Sequence, residues 1–248
     1  MPSQTCPICA KRRGKRHCPG LARSRWAAQT ETICAQCCGE QRELTIDCPL
    51  DCPYLLAAHR YEAERPARHR AAPSPGLSSE AERPAGAPVQ GEPAELAFPQ
   101  VALDPDFLDE HQQFIAALAL FFCRFAAGEK DVRDPDLLAA LDALARGYQT
   151  LESGLYYEQP PDAVPARALY AAARDFLEQY SQQQQQARGS SLRPGEVLRA
   201  LVFLRRLGQR ESNGRPLARR FLNFLRAQLP AEAQTAPSSG PPLIVPGR

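Results

Sequence analysis

Apolar residues in the second half of the chain recur every three or four positions, which is the period of a helix with one buried face. This pattern repeats five times, and no segment shows the alternation of a strand. We therefore predict an all-α helical bundle over residues 103–230. Its helices are expected to start at Asp104-Pro105 and Asp134-Pro135, and then to cover about residues 165–186, 194–207 and 216–228.

Two Asp-Pro pairs mark the starts of the first two helices. An aspartate carboxylate accepts hydrogen bonds from the free backbone N–H groups of a helix N-terminus, and proline is favoured at the first helical position. Asp104 and Asp134 are therefore predicted to be N-caps. The second helix is predicted to continue through Gly154 until Pro160-Pro161 stops it.

The phenylalanine-rich stripe of the first helix also contains His111 and Cys123. A histidine on an apolar stripe is usually a hydrogen-bonded core residue, and a lone cysteine among phenylalanines usually serves only to pack. We therefore expect neither side chain to be catalytic.

The composition changes ahead of this bundle. Residues 63–102 are rich in proline, alanine and small polar residues and hold few large apolar side chains. Such a segment cannot bury enough surface to offset the entropy of ordering it. We predict a flexible, disordered linker over residues 63–102, a disordered tail over residues 231–248, and a small N-terminal module over residues 1–62.

Cysteines define the N-terminal module, since eight of the nine in the chain lie within residues 6–52. Two residues between thiols let one tight turn direct both sulfurs at one ion, and tetrahedral sets of thiolates select zinc. The spacing therefore predicts eight ligands in two closed zinc sites. These ligands are Cys6, Cys9, Cys18, Cys34, Cys37, Cys38, Cys48 and Cys52.

Cys34, Cys37 and Cys38 lie on one predicted helical turn, where three side chains would crowd a single ion. We expect them to divide between the two zinc ions. One ion is assigned Cys6, Cys9, Cys34 and Cys37, and the other Cys18, Cys38, Cys48 and Cys52. His17 and His59 are alternative ligands, although we expect both on the surface; His59 falls on a helix predicted over residues 53–65.

Two other uses of paired cysteines fit the sequence less well. Disulfides need an oxidising compartment, and the N-terminal residues show neither the apolar segment nor the cleavage site of a secretory signal. A redox-active Cys-x-x-Cys pair opens a helix after a strand, whereas Cys9 is followed by a basic loop. We therefore expect a cytoplasmic zinc protein.

The run ICAQCCGEQRELTIDCPLDCPYL follows a CPIC pair and a lone CP. It resembles an N-terminal module of uncharacterised bacterial proteins, of the form CPxC, CP, IC-x2-CCG-x2-R-x3-I-x-CP-x-DC-x-YL, and the resemblance covers about the first sixty residues. The module is also similar to interleaved zinc modules of the MYND and HIT-finger type, but here Cys18 stands alone and no cysteine follows His59. This second similarity implies a role in binding other proteins.

Charge is unevenly distributed, although the net charge is only +2. Residues 103–180 carry a net charge of −8 and residues 193–226 a net charge of +7. Three arginines in each of the last two predicted helices share one helix face. We expect them to pair with the acidic helices or to lie in solvent, and a docking surface for an anionic partner is the alternative. They are Arg199, Arg206 and Arg210, followed by Arg215, Arg219 and Arg226.

A second basic cluster lies between Cys9 and Cys18 and consists of Lys11, Arg12, Arg13, Lys15 and Arg16. Side chains of this kind are candidates for contacts with the phosphates of a nucleic acid. The module offers few aromatic side chains for base stacking and no recognition helix. Nucleic-acid binding is therefore the alternative function, and a protein-binding adaptor role is favoured.

Enzyme motifs are missing from the sequence. It holds no phosphate-binding loop, dinucleotide-binding loop, nucleophile elbow or zinc-protease motif, and an all-cysteine zinc site has no open position for a substrate. No apolar run is long enough to span a membrane. We therefore assign no catalytic residue and predict a mainly α, non-enzymatic interaction protein that binds two zinc ions. An enzyme with its site in the helical bundle is the third hypothesis.

Overall fold

A computed structural model describes residues 5–24, 26, 31–64, 99, 101–155 and 157–229. Within these residues the chain is mainly helical, as predicted, with eight α-helices, one 3-10 helix and one short hairpin. No described helix combines the length and the apolar character needed to cross a membrane. Most of the predicted linker and the whole predicted tail lie outside the described residues, so their disorder stays a prediction.

The cysteine-rich part, residues 5–64, is called the cysteine module below. Its strands β1 (Arg16–His17) and β2 (Thr32–Ile33) pair antiparallel, with Arg16 opposite Ile33. The 3-10 helix Pro19–Arg23 lies between the two strands, and helices α1 (Ala35–Gln41) and α2 (Pro53–Glu64) follow β2. Helix α2 confirms the helix predicted at this position.

The second part is a bundle of six helices around one apolar core. Helix α5 packs against α6 and α7, and α4 packs against α8. Leu50 of the cysteine module joins the core of this bundle. The helices are α3 (Pro105–Glu110), α4 (Gln112–Gly128), α5 (Asp134–Glu152), α6 (Val164–Arg188), α7 (Pro194–Glu211) and α8 (Arg220–Gln228).

The predicted helix boundaries are corrected at three places. The first predicted helix is divided at His111, whose backbone leaves the helical region between α3 and α4. Helix α5 ends at Glu152, because Gly154 takes a left-handed backbone with φ of 78° that stops the helix two residues later. The last helix begins at Arg220 rather than near residue 216. The N-cap predicted at Asp104 is confirmed, since its Oδ1 accepts the Phe107 N–H at 2.7 Å.

Asp134 is a helix cap, but of a different helix from the one predicted. The N-cap of α5 is Arg133, whose N–H donates to Asp136 Oδ2 at 3.0 Å. The buried carboxylate of Asp134 instead accepts the N–H groups of Phe221 at 2.8 Å and Leu222 at 3.1 Å. Asp134 therefore caps the first turn of α8, more than eighty residues further along the chain.

Glu43 connects the cysteine module to the start of α8. Its buried side chain accepts the Arg219 N–H on Oε1 at 2.7 Å and the Asn213 amide on Oε2 at 2.7 Å. Its backbone carbonyl accepts the Leu217 N–H at 3.0 Å. Glu43 also has a positive φ of 56°, a strained conformation for a non-glycine residue that the surrounding bonds hold in place.

Arg219 is only 2% exposed, whereas we expected it to pair with the acidic helices or to lie in solvent, with a docking face as the alternative. Its Nη2 donates to Asp47 Oδ1 at 2.9 Å and its Nη1 to the Val132 carbonyl at 2.8 Å. Asp47 accepts a further bond from Arg133 Nη2 at 3.2 Å. The prediction of a docking face is therefore wrong for Arg219, because its charge is satisfied inside the molecule.

The interface between the two parts is predominantly polar and buried. Six polar side chains are buried among the described residues. Five of them bond across this interface, and Asp134 bonds the first turn of α8 beside it. The six are Glu43, Asp47, His59, Asp134, Arg219 and Asn223. Nearer the surface, Arg215 Nη1 donates to the Arg42 carbonyl at 2.7 Å and Arg23 Nη1 to Asp131 Oδ1 at 2.8 Å. The cysteine module is thus docked on the bundle by hydrogen bonds that need a defined geometry.

Candidate metal centre

Four thiols meet at one end of the cysteine module. The Sγ atoms of Cys6, Cys9, Cys34 and Cys37 all lie within 4.8 Å of one another. Three of these residues are buried and Cys9 is half-buried. This is the set predicted for the first ion, and among the residues that the structure describes it is the only group of cysteine, histidine, aspartate and glutamate with this spacing.

The short hairpin brings the two halves of this group together. Lys15 N–H donates to the Ile33 carbonyl at 3.0 Å, so the loop after Cys9 lies beside the residue that precedes Cys34. A Cβ at Gly14 would come within 2.9 Å of the Thr32 carbonyl oxygen, which leaves room only for glycine. Cys34 is then the N-cap of α1, and Cys37 lies in its first turn.

Backbone N–H groups point at the sulfur atoms. Hydrogen bonds from the N–H groups of Lys11 and Arg12 lower the pKa of Cys9 to about 6. The Cys37 N–H donates to Cys34 Sγ at 3.4 Å. Such bonds stabilise thiolates, which are the form in which cysteine binds a metal.

The four thiols cannot all ionise without a cation. Burial raises the pKa of Cys37, and the neighbouring thiols of Cys34, Cys9 and Cys6 raise it further. Like charges at this separation disfavour one another, so the raised pKa of Cys37 opposes its ionisation beside the Cys9 thiolate. A bound divalent ion would remove this conflict, because it lowers the energy of all four thiolates together.

The spacing suits one tetrahedral ion. A metal–sulfur bond of about 2.3 Å places the sulfurs of a tetrahedron about 3.8 Å apart. The Cys9 and Cys34 sulfurs are 4.0 Å apart, and no pair in the group exceeds 4.8 Å. Four thiols with no histidine or carboxylate form a closed site, so this group could hold a metal ion but leaves no position for a substrate.

The other four cysteines belong to one buried cluster, but their sulfur atoms do not lie as close together as those of the first group. Cys18, Cys38, Cys48 and Cys52 are all buried within the apolar core of the cysteine module. Burial raises the pKa of Cys48 to about 12, and the charges of Cys52 and Cys18 add to the rise. Burial likewise raises the pKa of Cys18, with smaller contributions from Cys38 and Cys52. These electrostatic effects do not bring the four sulfurs to metal-binding spacing in the described part of the chain, so the second zinc site stays a prediction.

A close approach positions Cys18 against the loop that carries Cys48. A Cβ at Gly20 would come within 2.6 Å of the Asp47 carbonyl oxygen, so the 3-10 helix packs directly on the backbone before Cys48. Cys52 follows four residues later and its carbonyl accepts the first N–H groups of α2, from Leu55 and Leu56. These contacts bring the 3-10 helix after Cys18 against the backbone before Cys48, and Cys52 then leads into α2.

Neither histidine proposed as an alternative ligand belongs to a thiol group. His59 is buried, which corrects its predicted surface position, and its Nε2 lies 3.2 Å from Glu43 Oε2. Its Nδ1 lies 3.2 Å from the Asn223 side-chain nitrogen, so both ring nitrogens are used at the interface with the bundle. His17 is exposed and lies 3.4 Å from Glu31.

Two further predictions concern residues outside the thiol groups. His111 is a satisfied residue, since its Nδ1 lies 3.0 Å from the Phe107 carbonyl and its ring stacks on Phe107. Cys123 is buried in the bundle core, and burial raises its pKa to about 12, which keeps it an unreactive thiol.

The basic cluster remains on the surface. Lys11, Arg12, Arg13 and Lys15 are exposed, and Arg16 lies over the ring of Tyr54, 4.6 Å from its centre. Arg12 is also within hydrogen-bonding range of Cys34, so part of the cluster borders the metal centre. The structure thus places a patch of positive charge directly beside four thiols.

Sequence reasoning missed Glu43, Asp47 and Asn223, which hold the module on the bundle. Glu43 and Asp47 stand in a mostly polar run between Cys38 and Cys48, where a solvated position is the usual expectation. No local signal distinguishes them from surface acids, because their partners lie at residues 213–223.

No model of a known protein family, no curated protein and no solved structure matches this chain. We therefore infer the role of the centre from its own residues and their geometry.

Proposed function

We propose that the protein binds zinc in two closed structural sites and acts by binding another protein rather than by catalysis. One observation carries the proposal: the four sulfurs of Cys6, Cys9, Cys34 and Cys37 lie within 4.8 Å of one another. A set of four thiolates favours zinc over hard cations such as magnesium or calcium.

The second site consists of Cys18, Cys38, Cys48 and Cys52. Support comes from their shared burial and from the mutual effect of their charges. A zinc ion bound there would hold the four sulfurs in one tetrahedron, because zinc–sulfur bonds are about 2.3 Å long.

Zinc would supply stability to a module that has little core of its own. The apolar residues buried in the cysteine module are few, and its cysteines make up most of that cluster. Small domains of this kind obtain much of their folding free energy from a bound metal. Zinc would thereby hold Glu43, Asp47 and His59 in place for their contacts with the bundle.

Metal analysis tests the two sites. Protein purified under reducing conditions is expected to contain two zinc ions per chain, and Cys34→Ser and Cys48→Ser should each remove one of them. Cys123→Ala is the matched control, since this thiol is buried in the bundle, and should keep both. One zinc in the unchanged protein would reject the second site, and none with all thiols free would reject the whole proposal.

The adaptor role rests on two features. The proposed metal sites are closed, and the loop after α5, together with the first residue of α6, carries large apolar side chains in solvent. Leu155, Tyr157 and Val164 are 68%, 59% and 75% exposed. A protein partner with an apolar contact surface would shield these side chains from water.

Substitution of this apolar surface tests the adaptor role. In a pull-down with the co-purifying partner, Leu155→Asp should weaken the complex at least tenfold, because it removes apolar contact and adds a buried charge. Leu44→Asp is the matched control, since Leu44 is an exposed leucine of the cysteine module. Equal effects of the two changes would reject this surface as the contact.

Nucleic-acid binding is the second candidate function. It is favoured by one observation: Lys11, Arg13 and Lys15 are exposed and have no acidic side chain within 4.0 Å among the described residues. Phosphate groups are the natural partners of such a cluster.

A further inference from the structure

A cavity of about 450 Å³ lies between the cysteine module and the bundle. One wall is the loop Pro49–Asp51, which lies between Cys48 and Cys52, and the opposite wall includes Ala126 and Ala127 at the end of α4. Cavities of this size at the boundary between two parts of a protein commonly bind small molecules. The volume corresponds to about fifteen water molecules, which is more than an inorganic ion fills.

The charged side chains of this interface cavity are mainly cationic. Arg23, Lys130, Arg219 and Arg226 line it, against the two acids Asp47 and Asp51. Asp47 is largely neutralised, because Arg133, which does not line the cavity, bonds its Oδ2 at 3.2 Å in addition to the bond from Arg219. The cavity therefore has a positive potential.

Two of the cations contribute to this potential in different ways. Arg219 is held at the wall of the cavity by its bonds to Asp47 and to the carbonyl of Val132, which fix its positive charge there. Lys130 has an exposed side chain with no acid within 4.0 Å in the described part of the chain, while its backbone carbonyl accepts from Arg219. The fixed guanidinium charge of Arg219 and the adaptable ammonium group of Lys130 thus border the same cavity.

We propose that the interface cavity binds a small organic anion. The oxyanion group, a phosphate or a carboxylate, lies near Lys130, whose ammonium group forms charge-assisted hydrogen bonds with it, and within the field of the Arg219 charge. The uncharged remainder of the ligand packs against Pro49, Leu50 and Ala126, which supply an apolar wall. This site uses the docking of the two parts and does not depend on which metal the thiols hold.

Simple probes test the proposal on the full-length, metal-containing protein. Phenyl phosphate and benzoate combine an oxyanion with an apolar ring, and phenol has the ring without the charge. Calorimetric titration should show saturable one-to-one binding of at least one anion with a Kd of about 1 mM or tighter, and weaker binding of phenol. The preferred anion identifies the oxyanion class.

Three substitutions connect binding to the cavity. Lys130→Gln should weaken anion binding roughly tenfold, since it removes a charge but keeps the backbone carbonyl that Arg219 needs. Asp51→Asn should strengthen it several-fold, because it removes a negative charge from the wall, and a gain in affinity cannot result from misfolding. Arg60→Gln is the matched control, since it also removes one positive charge but lies on the exposed surface of α2 and does not line the cavity, and it should have no effect.

Three results would overturn the proposal. One is the absence of saturable binding of either anion up to roughly 10 mM, a concentration at which even weak sites fill. Another is equal binding of phenol and the anions, which would remove the role of charge. The last is equal weakening of anion binding by Arg60→Gln and Lys130→Gln, which would mean that the net charge of the protein, rather than the cavity, decides the affinity.

Discussion

Arg219 and Asp47 form a buried ion pair between residues 172 positions apart, with Arg219 Nη2 2.9 Å from Asp47 Oδ1. Asp47 belongs to the cysteine module, and Arg219 is the N-cap of α8. The hydrogen bonds around this pair outweigh the effect of burial and hold the pKa of Asp47 below its ordinary value. The pair therefore makes the docking of the two parts specific, because neither charge has another environment that satisfies it as fully.

Removing one member of this pair should strongly destabilise the protein. Asp47→Ala leaves the Arg219 charge buried without its carboxylate, and we expect the free energy of unfolding to fall by about 3 kcal/mol. Urea denaturation followed by circular dichroism measures the change. Asp142→Ala is the control, since its pair with Arg205 at 2.7 Å is partly exposed, and it should cost less than about 1 kcal/mol. Equal losses of unfolding free energy in the two variants would show that the buried ion pair stabilises the protein no more than the partly exposed one.

Removing the metal should loosen the start of α8 before the rest of the bundle. The N–H groups of Leu217 and Arg219 both donate to Glu43, whose position depends on the folded cysteine module. Hydrogen exchange after chelation should show these two amides losing protection while amides in the middle of α6 keep theirs. Unchanged protection at Leu217 and Arg219 would mean that the module stays docked without metal.

Asp134 should make stability depend on pH between about 4 and 6. Burial raises its pKa to about 6, despite the N–H bonds from Phe221 and Leu222, while the unfolded chain has a value of about 3.9. In this window the unfolded chain releases the proton and the folded chain keeps it, so rising pH lowers stability. Glu43 and His59 act on Asp134 from the cysteine module with opposite signs.

Asp134→Asn isolates this contribution. The stability of the unchanged protein relative to the variant should fall by up to about 3 kcal/mol from pH 4 to pH 6 and then stay level. Urea denaturation at a series of pH values measures the difference, in which the titration of other groups cancels. A difference that does not vary with pH would contradict the raised pKa.

Salt dependence should separate the two candidate functions. For a protein-binding adaptor we expect only nonspecific nucleic-acid binding, with a Kd of about 10⁻⁴ to 10⁻⁶ M at physiological salt. Fluorescence anisotropy measures this Kd for RNA and for DNA. The unchanged protein is compared with a variant that carries Lys11→Gln, Arg13→Gln and Lys15→Gln together. Nanomolar binding that weakens steeply with salt and is lost in the variant would make nucleic-acid binding the function.

Local patterns in the sequence were sufficient for the helices and for the first thiol group. The apolar period that predicts α4 to α7 reflects contacts between each helix and the core, and it is visible within one or two turns. The grouping of Cys6, Cys9, Cys34 and Cys37 follows from two Cys-x-x-Cys pairs, since a pair at this spacing already directs both sulfurs to one side of a turn.

Only the tertiary structure decided the roles of Glu43, Asp134 and Arg219. In the sequence Asp134 has every feature of an N-cap for α5, and Arg219 continues a regular arginine stripe. A charged side chain looks the same in sequence whether it lies in water or faces a buried partner, because the partner's distance along the chain is not encoded locally. The sequence by itself determined most of the helical segments and the first group of four thiols. The packing of α8 on the cysteine module decided which charges are buried, since that depends on contacts across more than 170 residues.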